Sequence, residues 1–191
     1  MKKIFLFFVC AALLGLSGFS RAEELSFKKT LKKYHRHGEK YNWDTLHENI
    51  HWDVIHKTDE FRRAYEREYA KYYKLSPEEL NTRTVQSLEE GEKGPEFLVI
   101  LSTYSRKWND LDSKDSIWRL RLENGGETYE PVSISLLKTN PIDATFYPYI
   151  YPWSKVYSVL FPKGAVTSSS SDYKLTLFGV KGQQTLHWEY K

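Results

Sequence analysis

The chain has 191 residues, of which 16% are aromatic and 28% charged. That length suits one full domain and is short for two, and the aromatic content excludes a disordered tail. The formal charge of +3 comes from Lys2, Lys3 and Arg21, which lie in an N-terminal export signal. Without them acids and bases balance, so composition argues against polyanion binding by counterion release and no nucleic-acid partner is expected.

Met1-Lys2-Lys3 precedes an apolar run from Ile4 to Leu16, and Ser20-Arg21-Ala22 puts small residues at the −3 and −1 positions of a cleavage site. This is the pattern of a removable signal over residues 1–22, and it predicts an exported, periplasmic or secreted protein. The run is shorter than the ~20 residues that span a bilayer, and no transmembrane segment is expected after signal removal. Cys10 is the only cysteine. Bulky Val9 stands where a lipobox needs a small residue, so lipidation is not expected. Cleavage after Ala22 leaves a chain with no disulfide, no thiolate metal site and no cysteine nucleophile.

Residues 23–41 form a charged N-terminal segment with Lys28, Lys29, Lys32, Lys33, Arg36 and Lys40. Phe27, Leu31 and Tyr34 give it a narrow helical stripe, which Gly38 interrupts. The spacing favours a solvated helix or frayed terminus over a segment that touches anionic lipid or polymer. Residues 42–191 read as a single domain. Ile50, Trp52 and Val54 alternate with His51 and Asp53, the period of a strand. Thr58 or Asp59 can cap a helix whose apolar face is Phe61, Ala64, Tyr65, Tyr69 and Tyr72. Ser76-Pro77-Glu78-Glu79 starts a second helix, which runs to about Glu90 before Gly91 and Gly94-Pro95 stop it.

From Glu96 onward the texture is that of strands. Predicted strands cover residues 97–101, 117–122, 129–137 and 156–161, with a hairpin of 173–178 and 185–190. Ser168 to Ser171 reads as a flexible loop. The fold class is therefore mainly β: an antiparallel β-sandwich of about seven strands, immunoglobulin-like in architecture. Two helices are inserted after the first strand, at about 58–90.

The chain resembles a family of exported bacterial proteins of unknown function. The likeness is carried by Glu60-Phe61-Arg62 through Tyr69-Ala70, Lys107-Trp108-Asn109-Asp110-Leu111 and Asp115-Ser116-Ile117-Trp118. It continues through Phe146-Tyr147-Pro148-Tyr149, Trp153, Phe161-Pro162, Gly182 and Leu186-His187-Trp188. The resemblance implies a coherent domain over about residues 40–190 and no particular activity. The immunoglobulin-like likeness lacks that fold's cysteine pair and is one of architecture only.

Three clusters could carry function. His47-Glu48-Asn49-Ile50-His51 spells H-E-x-x-H. On a helix, His47 and His51 could hold zinc while Glu48 serves as base, which would make a zinc metallopeptidase. The strand pattern around Ile50 opposes this, since four strand residues span ~13 Å; so does Lys57, where a metzincin would place a third ligand. Asp110, Asp112 and Asp115 could offer oxygens to calcium. That loop departs from the EF-hand pattern, and its carboxylates are expected to bond their own backbone. Phe146-Tyr147-Pro148-Tyr149-Ile150-Tyr151-Pro152-Trp153 is an aromatic–proline segment, expected to fold over one end of the sandwich. If it binds, the residues are Tyr147, Tyr149, Tyr151 and Trp153 with Trp108 nearby, and the ligand is a carbohydrate or a peptide.

No G-x-S-x-G elbow or glycine-rich phosphate loop occurs. The sequence thus predicts a non-enzymatic envelope protein that binds or scaffolds an unknown protein or glycan partner, with no cofactor, no metal and no catalytic residue. The zinc peptidase and the carbohydrate- or peptide-binding module are the alternatives.

Overall fold

Alternation of apolar and polar residues builds two antiparallel sheets that share one core. The computed structural model describes residues 26–42, 47–167 and 169–190, and only the backbone of residues 41, 42 and 47–49. Residues 1–22, the predicted export signal, and with them Cys10, lie outside the described residues. The first sheet has the order β1-β2-β3-β7-β6, from His35–Asn42, His47–His56, Glu96–Thr103, Lys155–Leu160 and Ser133–Leu137. The second has the order β5-β4-β8-β9, from Glu127–Tyr129, Trp118–Asn124, Asp172–Gly179 and Gly182–Glu189. The molecule is a mainly β, sandwich-like protein with helices on one side. None of the described helices is long and apolar enough to cross a membrane.

The inner faces meet through every second residue: Ile50, Trp52 and Val54 from β2, Trp118, Leu120 and Leu122 from β4, and Leu186 and Trp188 from β9. β3 is apolar on both faces because both are covered. Phe97, Val99 and Leu101 point into the sandwich. Leu98 and Ile100 point outward under α1 (Phe27–Tyr34), α2 (Asp59–Tyr73) and the loop before β7. Across this outer layer Phe146, from the short helix α4 (Asp143–Phe146), meets the rings of Phe27, Tyr65, Tyr69 and Tyr72.

The helical insertion follows the sequence reading closely. Thr58 caps α2 by accepting from the Phe61 amide. Ser76 and Glu79 form a complete capping box at the start of α3 (Pro77–Gly91), with Pro77 at its first turn. α3 buries no residue of its own. It is held to α2 by Arg83, which donates to Glu66 at 2.8 Å and lies 4.1 Å over the Tyr69 ring.

Two expectations are corrected. Among the described residues nine strands are present where seven were predicted, because residues 129–137 split and residues 35–42 add one. β5 pairs with β4 in one sheet and β6 with β7 in the other. Pro131 stands at the crossing, where a missing amide hydrogen breaks no ladder. Residues 26–41 of the charged segment are not a frayed appendage. Its predicted stripe is α1, which buries Leu31 and Tyr34, and the chain then enters β1 as an edge strand along β2. The helices therefore follow the second strand. Gly38, which reads as a helix breaker, has another role: a Cβ there would sit 2.5 Å from the Trp52 indole nitrogen, so only glycine lets β1 lie across that ring.

Candidate functional site

On β2 the residues between the core positions point to the outer face. There the strand carries His51 and Asp53 before Ile55. β1 pairs in antiparallel register, with His37 opposite Asp53 and Glu39 opposite His51. Opposed residues share a face, so H-x-H on β1 and H-x-D on β2 converge, and the outer aromatic layer ends beside them.

Asp53 is the centre of the cluster and only 2% exposed. Its Oδ1 accepts from His35 Nε2 at 2.8 Å and from His37 Nδ1 at 3.1 Å. His51 Nε2 stands 3.2 Å from Oδ2. Burial by itself would raise the Asp53 pKa. The imidazoles of His35 and His51, with the added charge of His37, outweigh burial and hold the carboxyl well below the usual carboxylate range. The group is an anion ringed by three imidazoles.

His37, His51 and Asp53 each bring a donor atom to within 4.8 Å of the others. They are the one group of three or more His, Cys, Asp or Glu among the described residues that converges this way. A tetrahedron with metal–ligand bonds of ~2.0–2.1 Å has edges of ~3.3 Å. The His37–Asp53 and His51–Asp53 contacts of 3.1 and 3.2 Å have that length but fall on Oδ1 and Oδ2 respectively. Bringing the two imidazoles together takes a rotation of His37, whose side chain is half exposed. Glu39 Oε2 lies 3.7 Å from His37 Nε2, on the far side of that ring and beyond direct hydrogen-bond distance. His35 hydrogen-bonds the Asp53 carboxylate and is clamped flat against the Tyr149 ring, 3.8 Å between centroids and 2° between planes.

The residues singled out from sequence fall in different places. The backbone of His47–His56 is a strand, as the alternation predicted, so the helix that H-E-x-x-H chemistry needs is absent. Four strand residues set the α-carbons of His47 and His51 ~13 Å apart, too far for one ion to bridge as on a helix. The side chains of His47 and Glu48 lie outside the described residues. Asp110, Asp112 and Asp115 do not converge: Asp110 accepts from the Ser116 hydroxyl and the Asp115 amide donates to Ser113.

The aromatic–proline segment divides. Phe146 is buried, Tyr147 stacks near Phe61 and Tyr65, and Tyr149 covers His35. Tyr151 and Trp153 are 38% and 59% exposed, with nearly parallel rings 5.6 Å apart. The Tyr151 ring also meets His51 edge-on at 5.7 Å. Trp108 keeps other company, with Tyr104 and the Lys181 ammonium. His187 sits on β9 beside Asp172.

The sequence reading missed His35 and His37, which it placed in the charged terminal segment. The signal was present: H-x-H and H-x-D are two pairs at strand period, and a hairpin between them brings all four residues together.

No protein-family model matches the chain, and no curated protein matches it. A solved structure from Burkholderia pseudomallei K96243, described as a novel protein of unknown function, aligns at TM-score 0.44 with 10% identity. The alignment covers 85% of this chain and 81% of that one.

Proposed function

We propose that this chain is an exported, non-enzymatic binding domain whose ligand is a divalent transition-metal ion held by His37, His51 and Asp53. One observation carries the reading: two imidazole nitrogens and a buried carboxylate, from adjacent strands, converge within 4.8 Å. A nitrogen-and-oxygen donor set without sulfur suits Zn²⁺ or Cu²⁺ over softer ions, and hard Mg²⁺ or Ca²⁺ would want more oxygens. His35 and Glu39 act on the ligands and not on the ion: His35 orients Asp53, and Glu39 steadies the far nitrogen of His37. Export is supported by the basic start, apolar run and small residues of positions 1–22.

Metal-stripped protein, dialysed against buffered Zn²⁺ and separately Cu²⁺, is expected to retain one ion per chain. His37→Ala and His51→Ala should each lose it while keeping wild-type circular dichroism. Wild-type protein that emerges without metal, or folded variants that retain the full equivalent, would remove the reading.

A second reading rests on the exposed Tyr151–Trp153 stack, a flat aromatic surface suited to a sugar ring or a peptide. A Tyr151→Ala/Trp153→Ala double variant should lose any glycan or peptide that wild type captures on an array. Capture that survives the double change places the binding elsewhere.

A further inference from the structure

A second site lies on the other side of the aromatic loop, away from the histidines. Between α2, the last turns of α3 and residues 137–150 is a cavity of about 350 Å³. It falls at the small end of ligand-site volumes, with room for about a dozen water-sized groups at ~30 Å³ each. Phe61, Leu98, Val156 and Ile150 form the apolar part of its wall, and charged and polar side chains form the rest.

The polar groups of its wall are unequally used. Two of the three acids, Glu66 and Asp143, are engaged. Glu66 takes Arg83 at 2.8 Å, and Asp143 accepts from the Asn140 amide at 2.7 Å. Of the cations, Lys57 is committed to Glu96, while Arg62 and Lys138 keep spare capacity. The Arg62 side chain is 1% exposed; its Nε donates to the Lys57 carbonyl and its Nη2 to Glu96, but Nη1 makes no hydrogen bond. Glu90 forms an ion pair with Nη1 at 3.9 Å, beyond hydrogen-bond reach, and an incoming carboxylate would take the place of its half-exposed side chain. Lys138, on the exposed loop, lines the same cavity. A guanidinium cannot shed its proton, so a buried, unbonded Nη1 calls for an oxygen acceptor.

We propose that this cavity binds a small monocarboxylate with an apolar body, the carboxylate taken by Arg62 Nη1 and Lys138 and the body lying on Phe61, Leu98 and Val156. The apolar part of the wall gives an organic body a surface that a bare inorganic anion would not use, and the unspent donors select a carboxylate over its neutral counterpart.

The test is calorimetry and ¹H–¹⁵N NMR on the purified protein with 3-phenylpropionate and hexanoate, each compared with its primary amide. The acids should bind saturably, one per chain, and shift the amides of Ser87 and Thr139; the amides should bind at least tenfold more weakly. Arg62 also holds the fold, so the variants are placed elsewhere. Lys138→Ala should weaken the acids several-fold and leave the amides unchanged. Leu137→Trp, which fills the cavity from its rim, should abolish both. Absence of saturable binding, equal affinity for acid and amide, or unchanged acid affinity in Lys138→Ala would each overturn the proposal.

Discussion

Replacing Glu96 by alanine is expected to destabilise the protein by about 3–5 kcal/mol, the cost of leaving one member of a buried ion pair uncompensated. Glu96 opens β3 at the seam between sheet and helices. Its carboxylate accepts from Arg62 Nη2 at 2.5 Å, Lys57 Nζ at 2.8 Å and Ser158 Oγ at 2.6 Å. Removing it strands a guanidinium that is 1% exposed. Arg62→Met should cost less, because it removes the buried charge and leaves Glu96 with Lys57 and Ser158. Urea unfolding of both single variants and the double variant measures the order.

The pH dependence gives a second estimate. Burial would raise the Glu96 pKa, but Lys57, Ser158 and Arg62 outweigh it and bring it down from 4.5 to about 2. A depressed carboxylate contributes stability that is fully present above its unfolded pKa and lost as pH falls through the folded one. Wild type should therefore lose about 3 kcal/mol between pH ~4.5 and ~2 on account of Glu96, at 1.36 kcal/mol per unit. Glu96→Gln should flatten that part of the acid limb. An acid limb identical in the two proteins would remove Glu96 from its role.

Asp53→Ala should act in two separable ways. Without metal it removes the acceptor for His35 and His37 and the carboxylate beside His51, at a cost of about 2–3 kcal/mol for charged hydrogen bonds in a buried setting. With metal it removes a ligand outright. The loss in affinity should then exceed the roughly 10–100-fold that follows loss of an outer-shell partner such as Glu39. Asp53→Asn keeps the shape and some hydrogen bonding, so it should recover most of the stability but little of the affinity. Unfolding midpoints and Zn²⁺ titrations on the same three proteins test this. Affinity recovered in Asp53→Asn to the wild-type level would mean that the carboxylate is a structural acceptor and not a ligand.

The sandwich was legible because its inner face is written at period two. Ile50, Trp52 and Val54 and the matching residues of β4 and β9 are apolar whatever their partners. The helical insertion was legible from its caps, since Thr58 and Ser76 act over three residues. β1 was not. His35-Arg36-His37-Gly38-Glu39-Lys40 holds no apolar residue, because one side of this edge strand carries the polar cluster and the other gives way to Trp52. The candidate site shared that fate. H-E-x-x-H drew attention to His51 through neighbours in sequence, whereas its neighbours in space, His37 and Asp53, are set by cross-strand register. The cavity was invisible for a related reason: Arg62 and Lys138 meet only after a helix and a sheet edge have packed together.

X-ray absorption at the zinc edge, recorded on the one-to-one Zn²⁺ complex, tests the proposed site most directly. The expected spectrum is a shell of nitrogen and oxygen alone at ~2.0–2.1 Å with the outer scattering of two imidazoles, and His37→Ala, which loses the ion, should give no such spectrum. A protein that holds no zinc, or a zinc spectrum that His37→Ala leaves unchanged, would contradict the site on β1 and β2.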